Sequence, residues 1–449
     1  LKFSNDPISL KKFVQAMCDN PIVAYQADDH ERDIIVRQHL WKSFAIINEP
    51  QAIKHVMIDN GKNYVRTELG RRILEPFIGE GLLSSEGEVW RQHRQVIAPS
   101  CDVRSAIRYT PMMGQVAADL VKDWQGMGKQ PTVDIYEALR EATLEVICQV
   151  MFSCGSKEIV STIKKGFSHA RLVGRPSFLD LLNMPIWLTR LVRPGRGKGK
   201  VEEFEEVVRY LRGVRQGEIS KGRDFNDYLA SMLSARDGAQ NGIRMSDLDV
   251  DNEIATILNA GHHTTALSMT WSWYLLSQYP DAQVKLQEEV DTVLGGRAPQ
   301  YEDLANLKYT RMVMEEAMRL IPPVPTLPRR AVADDEVMGT RIKAGMTVFV
   351  APWLLHRKKS IWKDPESYRP ERFAPEEAKA RHRFSYMPFG GGPHICIGST
   401  IAMTEAMMFT ATIAQKYHMS LVPNHNVEIL GLFNVVPRNG MKMVLTPRN

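Results

Sequence analysis

The stretch from Asp247 to Gln278, "DLDVDNEIATILNAGHHTTALSMTWSWYLLSQ", constrains the fold more than any other. Its apolar residues repeat with a 3.6-residue period over about thirty positions, and Ser246 with Asp249 fits a capping box that would start the helix. At 1.5 Å per residue such a helix spans roughly 45 Å, enough to cross a whole domain. Similar patterns run through residues 104–125, 134–152 and 200–220. Strand-like pieces are short and lie near both ends. Residues 33–48, "DIIVRQHLWKSFAIIN", predict a hairpin. Residues 340–353, "TRIKAGMTVFVAPW", predict another pair of strands turned at Ala344-Gly345. The expectation is a mainly α chain with a small β-rich lobe.

At 449 residues the chain exceeds the usual single-core size, so two domains or one large enzyme fold are expected. No internal repeat breaks it up. The most linker-like stretch, "RPGRGKGK" at 193–200, reads as a mobile turn between two helices of one domain. A basic patch touching anionic membrane, helped by the apolar "MPIWL" before it, is the alternative.

Charge and cysteine usage exclude several classes. A net charge of +5 without a basic stripe interleaved with aromatics does not read as a nucleic-acid binder, and an acidic protein partner is the more modest inference. No apolar run reaches eighteen residues and no signal-peptide pattern opens the chain, so a cytoplasmic location is expected. Because the first residue is Leu1 rather than Met, a removed leader stays open. The five cysteines, Cys18, Cys101, Cys148, Cys154 and Cys396, are odd in number and form no C-x-x-C pair, which argues against a disulfide framework.

One of them has an unusual setting. "FGGGPHICIG", residues 389–398, frames Cys396 with Gly390, Gly391, Gly392 and Gly398, and the residues that follow read as a helix. A sulfur just before a helix N-terminus is favoured as thiolate, and glycines let the backbone approach it closely. Structural zinc fits poorly, since only His394 lies at ligand spacing, and an inert buried cysteine would not need the glycines. The stretch alone favours a thiolate metal ligand.

The same stretch resembles the haem-binding signature of the cytochrome P-450 family, with Phe389, Gly392, His394, Cys396 and Gly398 at its fixed positions. The resemblance implies that Cys396 is the proximal thiolate ligand of a haem b iron. "EEAMRL" holds Glu316 and Arg319 three apart on one helix face, which alone would be a surface ion pair. With Arg372 of "DPESYRPERF" they match the family's buried Glu-Arg-Arg network, a structural role. Trp90 and Arg94 in "EVWRQHRQV" match the family's C-helix motif, although alone they would read as an ordinary amphipathic helix. By the resemblance they bind a haem propionate, with Arg329 and His394 at the other propionate positions. The run "PPVPTLPRR" could be an SH3-type ligand, but by resemblance it is the loop lining the substrate pocket.

The long helix carries "AGHHTT", residues 260–265, which resembles the family's oxygen-activation motif. Gly261 costs about 1 kcal/mol relative to alanine inside a helix, and the family's reason for it is a groove for dioxygen. Thr264 would relay protons during oxygen activation. Where the family usually has an acid, this chain has His263. A zinc site on His262 and His263 fails, because neighbouring helical residues point about 100° apart and no third ligand is evident. Two readings of His263 stay open: a substitute relay, suited by its ordinary pKa of about 6.5, or a solvent-facing bystander with water delivering the protons.

The resemblance thus implies a single catalytic domain over residues 1–449 with the triangular-prism P-450 fold, in a soluble, bacterial-like and monomeric member. The activity implied is haem-thiolate monooxygenation: one atom of O2 enters a C–H bond of an apolar substrate, by hydroxylation or oxidative dealkylation. Electrons would come from NAD(P)H through a separate acidic ferredoxin or flavodoxin with its reductase, docking near Arg91, Arg381 and Arg383. A peroxide-driven peroxygenase and a non-turnover haem-thiolate gas binder are the rival classes. Pocket residues by analogy are Phe178, Ala260, Thr264, Val324, Leu327, Leu432 and Phe433, each of which could equally be core. Arg71 and Arg72, in a loop before the Trp90 helix, could anchor a substrate carboxylate or simply be exposed.

Overall fold

The structure, a computed structural model, describes Ala16 and residues 19–39, 42–153, 198–238, 242–431 and 433–448. The chain opens with strands β1 (Ile34–His39), β2 (Lys42–Ile47) and β3 (Tyr64–Val65). Helices α1 (Glu68–Ile78), α2 (Gly87–Ile97) and α3 (Val103–Gln125) lead to β4 (Thr132–Asp134) and α4 (Ile135–Phe152). Then come α5 (Lys198–Ser220), α6 (Tyr228–Arg236), α7 (Asp247–Gln278), α8 (Pro280–Leu294) and α9 (Lys308–Leu320). Strands β5 (Leu327–Ala331), β6 (Asp335–Val337), β7 (Thr340–Ile342) and β8 (Thr347–Val350) precede α10 (Ser399–Lys416). The chain closes with β9 (Tyr417–Leu421), β10 (Ile429–Gly431), β11 (Val435–Pro437) and β12 (Lys442–Pro447).

The helices expected from periodicity are present: α3, α4, α5 and α7 each begin within two residues of the predicted start. The capping box that opens α7 is formed. The Ser246 N–H donates to Asp249 Oδ2 at 2.8 Å, and the Asp249 N–H donates to Ser246 Oγ at 3.1 Å. Of the linker-like stretch, residues 198–200 belong to α5, and 193–197 lie outside the described residues.

The chain divides into two compact units, and the division falls within α3, α4 and α7. Unit 1 takes the described residues up to Thr67, Met113–Arg140, and those from Thr264 on. Its five-stranded sheet has the order β1-β2-β8-β5-β3. The expected hairpin pairs Ile34 with Ile47 and His39 with Lys42, and β2 then runs parallel to β8. Alternate residues of these strands, Ala45 and Ile47 in β2 and Val348 and Val350 in β8, face one core with Val56, Met57, Leu355, Phe384 and Met387. The last two lead directly towards Cys396 in sequence.

The second expected hairpin does not form. Gly345 does turn the chain, at φ +81°, but β7 pairs with β6, while β8 joins the five-stranded sheet between β2 and β5. The reason is burial. Val348 and Val350 are fully buried, and a strand sealed on a core needs ladder partners on both edges. The three-residue β7, with exposed Arg341, can supply only one.

Elsewhere in unit 1, α8, α9 and α10 pack against one another. The second half of α7 is tied down by Trp271, whose Nε1–H donates to Val435 O at 2.8 Å. Unit 2 comprises Glu68–Met112 and the described residues between Glu141 and His263. Its buried Arg215 lies between the Asp227 carboxylate, at 3.0 and 2.7 Å, and the Phe225 ring, 3.7 Å from its centroid. Asp227 also caps α6 by accepting from the Ala230 N–H.

Candidate functional site

The Cys396 loop is a tight backbone construction in unit 1. Gly390 and Gly392 have φ of +74° and +67°, and a Cβ on Gly392 would lie 2.3 Å from Met57 O. The Ile395 N–H donates to Gly392 O at 3.1 Å, and the Cys396 N–H donates to Phe389 O at 2.9 Å. Cys396 ends exposed, three residues before Ser399, where α10 begins. The helix N-terminus supplies the positive potential that favours a thiolate. Among the described residues no group of three or more His, Cys, Asp or Glu could hold a metal ion. A thiolate on such a loop suits a metal that brings its other ligands in a porphyrin ring.

Cations gather on the same unit. Arg66 Nη2 lies 3.3 Å from His394 Nδ1, and Arg329 on β5 is buried, donating from Nη1 to Pro328 O at 2.9 Å. The antiparallel ladder that pairs Val65 with Arg330 brings the next residues, Arg66 and Arg329, to one end of the strands. Such a set suits the carboxylates of a planar ligand. Arg66 carries no sequence signal, because its place follows from a two-residue strand whose partner lies far along the chain.

The acidic and basic residues Glu316, Arg319 and Arg372 meet as a buried network. Arg319 donates to both carboxylate oxygens of Glu316, at 2.7 and 2.9 Å, and to the carbonyls of His356, Pro365 and Ser367. Arg372 Nε reaches Glu316 Oε1 at 3.2 Å. His356, unnoticed in the sequence, extends the network towards the cysteine loop. Burial, with Arg319 and Arg357 nearby, pushes its pKa down to about 3, so the ring is neutral. Its Nε2 accepts from the Met387 N–H at 2.9 Å, and Met387 O in turn accepts from the Gly390 N–H.

Unit 2 holds the other predicted residues. On α2, Arg94 lies over the Trp90 ring, 5.6 Å from its centroid, and both are half-buried. On α7, a Cβ at Gly261 would sit 2.7 Å from Ile147 Cδ1 on α4, so this glycine has a packing reason besides the one the family suggests. The Thr143 hydroxyl donates to His262 O at 3.0 Å on the same contact. His262 is buried with Nδ1 2.6 Å from Leu258 O, and its ring lies roughly parallel to that of half-buried His263, centroids 6.1 Å apart. The next residue, Thr264, belongs to unit 1 and is half-buried.

Three expectations need correction or limits. Arg71 and Arg72 sit on helix α1, not in a loop. Arg72 pairs with Glu68 at 3.2 Å, and Arg71 approaches Glu75 and Glu80 at 3.5 and 3.6 Å. The helix carries Pro76 two residues before its end, a residue that reads as a helix breaker in sequence. Arg381 is half-buried, donating to Arg372 O at 2.7 Å and stacked on Trp362 and Phe373, which limits its freedom as a docking cation. Arg383 is exposed, and exposed Arg91 pairs with Glu88. Among the pocket candidates, Val324 and Leu327 are half-buried, Ala260 and Phe433 are exposed, and Phe178 and Leu432 lie outside the described residues. Leu327 Cδ1 would be 3.7 Å from a Cβ on Gly390, which sets it beside the cysteine loop.

Comparison with known proteins agrees with this chemistry. Residues 30–439 match the family model for cytochrome P450. The chain is 30% identical over 427 residues to protein LUTEIN DEFICIENT 5, chloroplastic, of Arabidopsis thaliana, covering 91% of this chain and 71% of that one. It is 29% identical to cyclooctatin synthase of Streptomyces melanosporofaciens over 84% of this chain and 81% of that one. The crystal structure of the cytochrome P450DA heme domain shares the fold, with a TM-score of 0.79 at 22% identity, over 93% of this chain and 90% of that one.

Proposed function

Because this chain belongs to the cytochrome P450 family of haem-thiolate monooxygenases, we propose that it oxidises an apolar organic substrate at a C–H bond, by hydroxylation or by the dealkylation that follows. The reading is supported above all by the exposed Cys396 on a loop that only glycine can form at residue 392. Haem b, when bound, supplies the one-electron and dioxygen chemistry that side chains lack.

The chain's own residues do the rest. The Cys396 thiolate holds the iron, and the Glu316, Arg319 and Arg372 network with His356 keeps the loop in place. Arg66, Arg329 and His394 of unit 1 would hold a haem carboxylate, and Trp90 and Arg94 of unit 2 are matched to the same task. The Thr264 hydroxyl and the His263 imidazole move protons. Val324, Leu327, Ala260 and Phe433 orient an apolar substrate and exclude water. Electrons come from NAD(P)H through a separate ferredoxin or flavodoxin, docking on a monomer. No helix among the described residues is long and apolar enough to cross a membrane.

Titrating the oxidised holoprotein with fatty acids, terpenes and small aromatics, while following the haem Soret band, tests the substrate class. A low-to-high spin shift with neutral ligands alone supports a purely apolar pocket, and a shift with carboxylates alone replaces it by a pocket that also anchors an acid group. For the relay, His263→Ala should lower the coupling of reductant consumption to product, and unchanged coupling would refute it.

A further inference from the structure

Unit 2 contains a buried charged pair that this chemistry leaves unused. On α2, His93 is 4% exposed, and Glu253 on α7 is 0% exposed. His93 Nδ1 and Glu253 Oε1 are 2.7 Å apart, and His93 Nε2 lies 3.8 Å from Asp249 Oδ1. The second carboxylate oxygen, Glu253 Oε2, is buried without a hydrogen-bond partner among the described residues. Glycines let the preceding loop seal the pair from water. A Cβ on Gly81 would lie 2.0 Å from Thr256 Oγ1 and 2.8 Å from Asn252 O, on the turn of α7 that carries Glu253.

An imidazole and a carboxylate buried at this distance share one proton. Facing them are Asp249 on α7 and, from the loop, Glu80 and the Leu82 N–H. Burial alone would push His93 down, but Glu253, Asp249 and Glu80 outweigh it and raise its pKa. Burial also pushes Glu253 up, against His93 and the Leu82 N–H. Both directions mean that the folded pair keeps its proton to higher pH than the separated groups would. Loss of that proton leaves a half-satisfied carboxylate against a neutral ring, and the tie between the helices weakens.

His93 stands three residues after Trp90 and one before Arg94 on an eleven-residue helix. We infer that His93 and Glu253 are positioning residues: their shared proton holds α2 on α7, and the grip of Trp90 and Arg94 on a haem carboxylate depends on it. The inference rests on the carboxylate-holding role given to those two residues above.

The test is haem transfer from the full-length holoprotein to excess apomyoglobin, followed by absorbance from about pH 6 to about pH 9, a window set by the ordinary range of histidine. For the unaltered protein the rate of haem loss should rise about tenfold across that window, as one titrating group allows. Glu253→Gln keeps the shape and a hydrogen bond but removes the shared proton, so its haem loss should be faster at low pH and flat with pH. The double variant His93→Leu with Glu253→Leu, which replaces the pair by apolar side chains, should also be flat. Arg94→Ala sets the scale by losing haem quickly throughout. If Arg94→Ala is fast while Glu253→Gln keeps the original pH profile, the pair is mere packing and the inference is overturned. If Arg94→Ala changes nothing, the carboxylate role of α2 falls, and the inference falls with it.

Discussion

Two buried charge clusters, one in each unit, are built to opposite specifications. Around Glu316 in unit 1, both carboxylate oxygens are bonded, and Arg319 and Arg372 between them donate to the carbonyls of His356, Lys363, Asp364, Pro365 and Ser367. Around Glu253 in unit 2 there are one imidazole, the Leu82 N–H, one oxygen without a hydrogen-bond partner among the described residues, and a neighbouring Asp249 of like charge. A saturated cluster has no alternative arrangement of similar energy, so it fixes geometry. An undersatisfied one changes its strength with a single proton. The first suits the support of a loop that must hold a thiolate still. The second suits a contact whose strength is meant to vary.

The largest effect should come from breaking the saturated cluster. Glu316→Gln leaves two buried guanidinium groups facing a neutral amide and should destabilise the protein by about 3–5 kcal/mol, read from the midpoint of urea unfolding. The contrast would collapse if Glu253→Gln cost as much. Its expected cost is about 1–2 kcal/mol, because fewer bonds are lost.

The loop that this network supports gives the next effect. Gly392→Ala must place a Cβ against Met57 O and hold an alanine at φ +67°. The strain should cost about 2–3 kcal/mol and loosen the support of Cys396. In the ferrous carbonyl complex, part of the thiolate-type Soret band should convert to the form without thiolate. Gly213 on α5, with open space around its Cβ position and outside the cysteine loop, is the control: Gly213→Ala should leave the band intact.

The pH dependence of stability isolates the pair in unit 2. His93 has a raised pKa in the fold, so its contribution is present below the unfolded value of about 6.5 and lost as pH rises through the folded one. Glu253, also raised, works the same way, since ionising it in the fold at higher pH opposes folding. Stability should therefore decline on the alkaline side of neutrality, and Glu253→Gln should flatten that decline. An equal slope in Glu253→Gln and the unaltered protein would show that other groups titrate.

The sequence was informative where the determining contacts are local. The bounds of α7 could be read because its period and its Ser246–Asp249 cap are written within the segment itself. The cysteine frame could be read because four glycines near one sulfur have few other uses. What escaped depends on distant partners. The strand Thr347–Val350 pairs with β2, about three hundred residues earlier, so local alternation could not name its neighbour. His356 and Arg66 gain their roles from Met387 and His394, and His93 from Glu253, none of which is near in sequence.

The smallest predicted effect tests how Gly261 is understood. Within unit 2 its missing Cβ makes room for Ile147, 2.7 Å from where that Cβ would be, and the end of an isoleucine can move. Gly261→Ala should gain about 1 kcal/mol of helix propensity and lose a similar amount to the contact, leaving net stability nearly unchanged. The two contributions separate in a double-mutant cycle. With Ile147→Val the contact relaxes and the propensity gain should surface, giving a coupling of about 0.5–1 kcal/mol in urea unfolding. Zero coupling would mean that Ile147 does not require the glycine, and the family's reason, a groove for dioxygen, would then stand alone as the account of why a helix-weakening residue sits in the middle of α7.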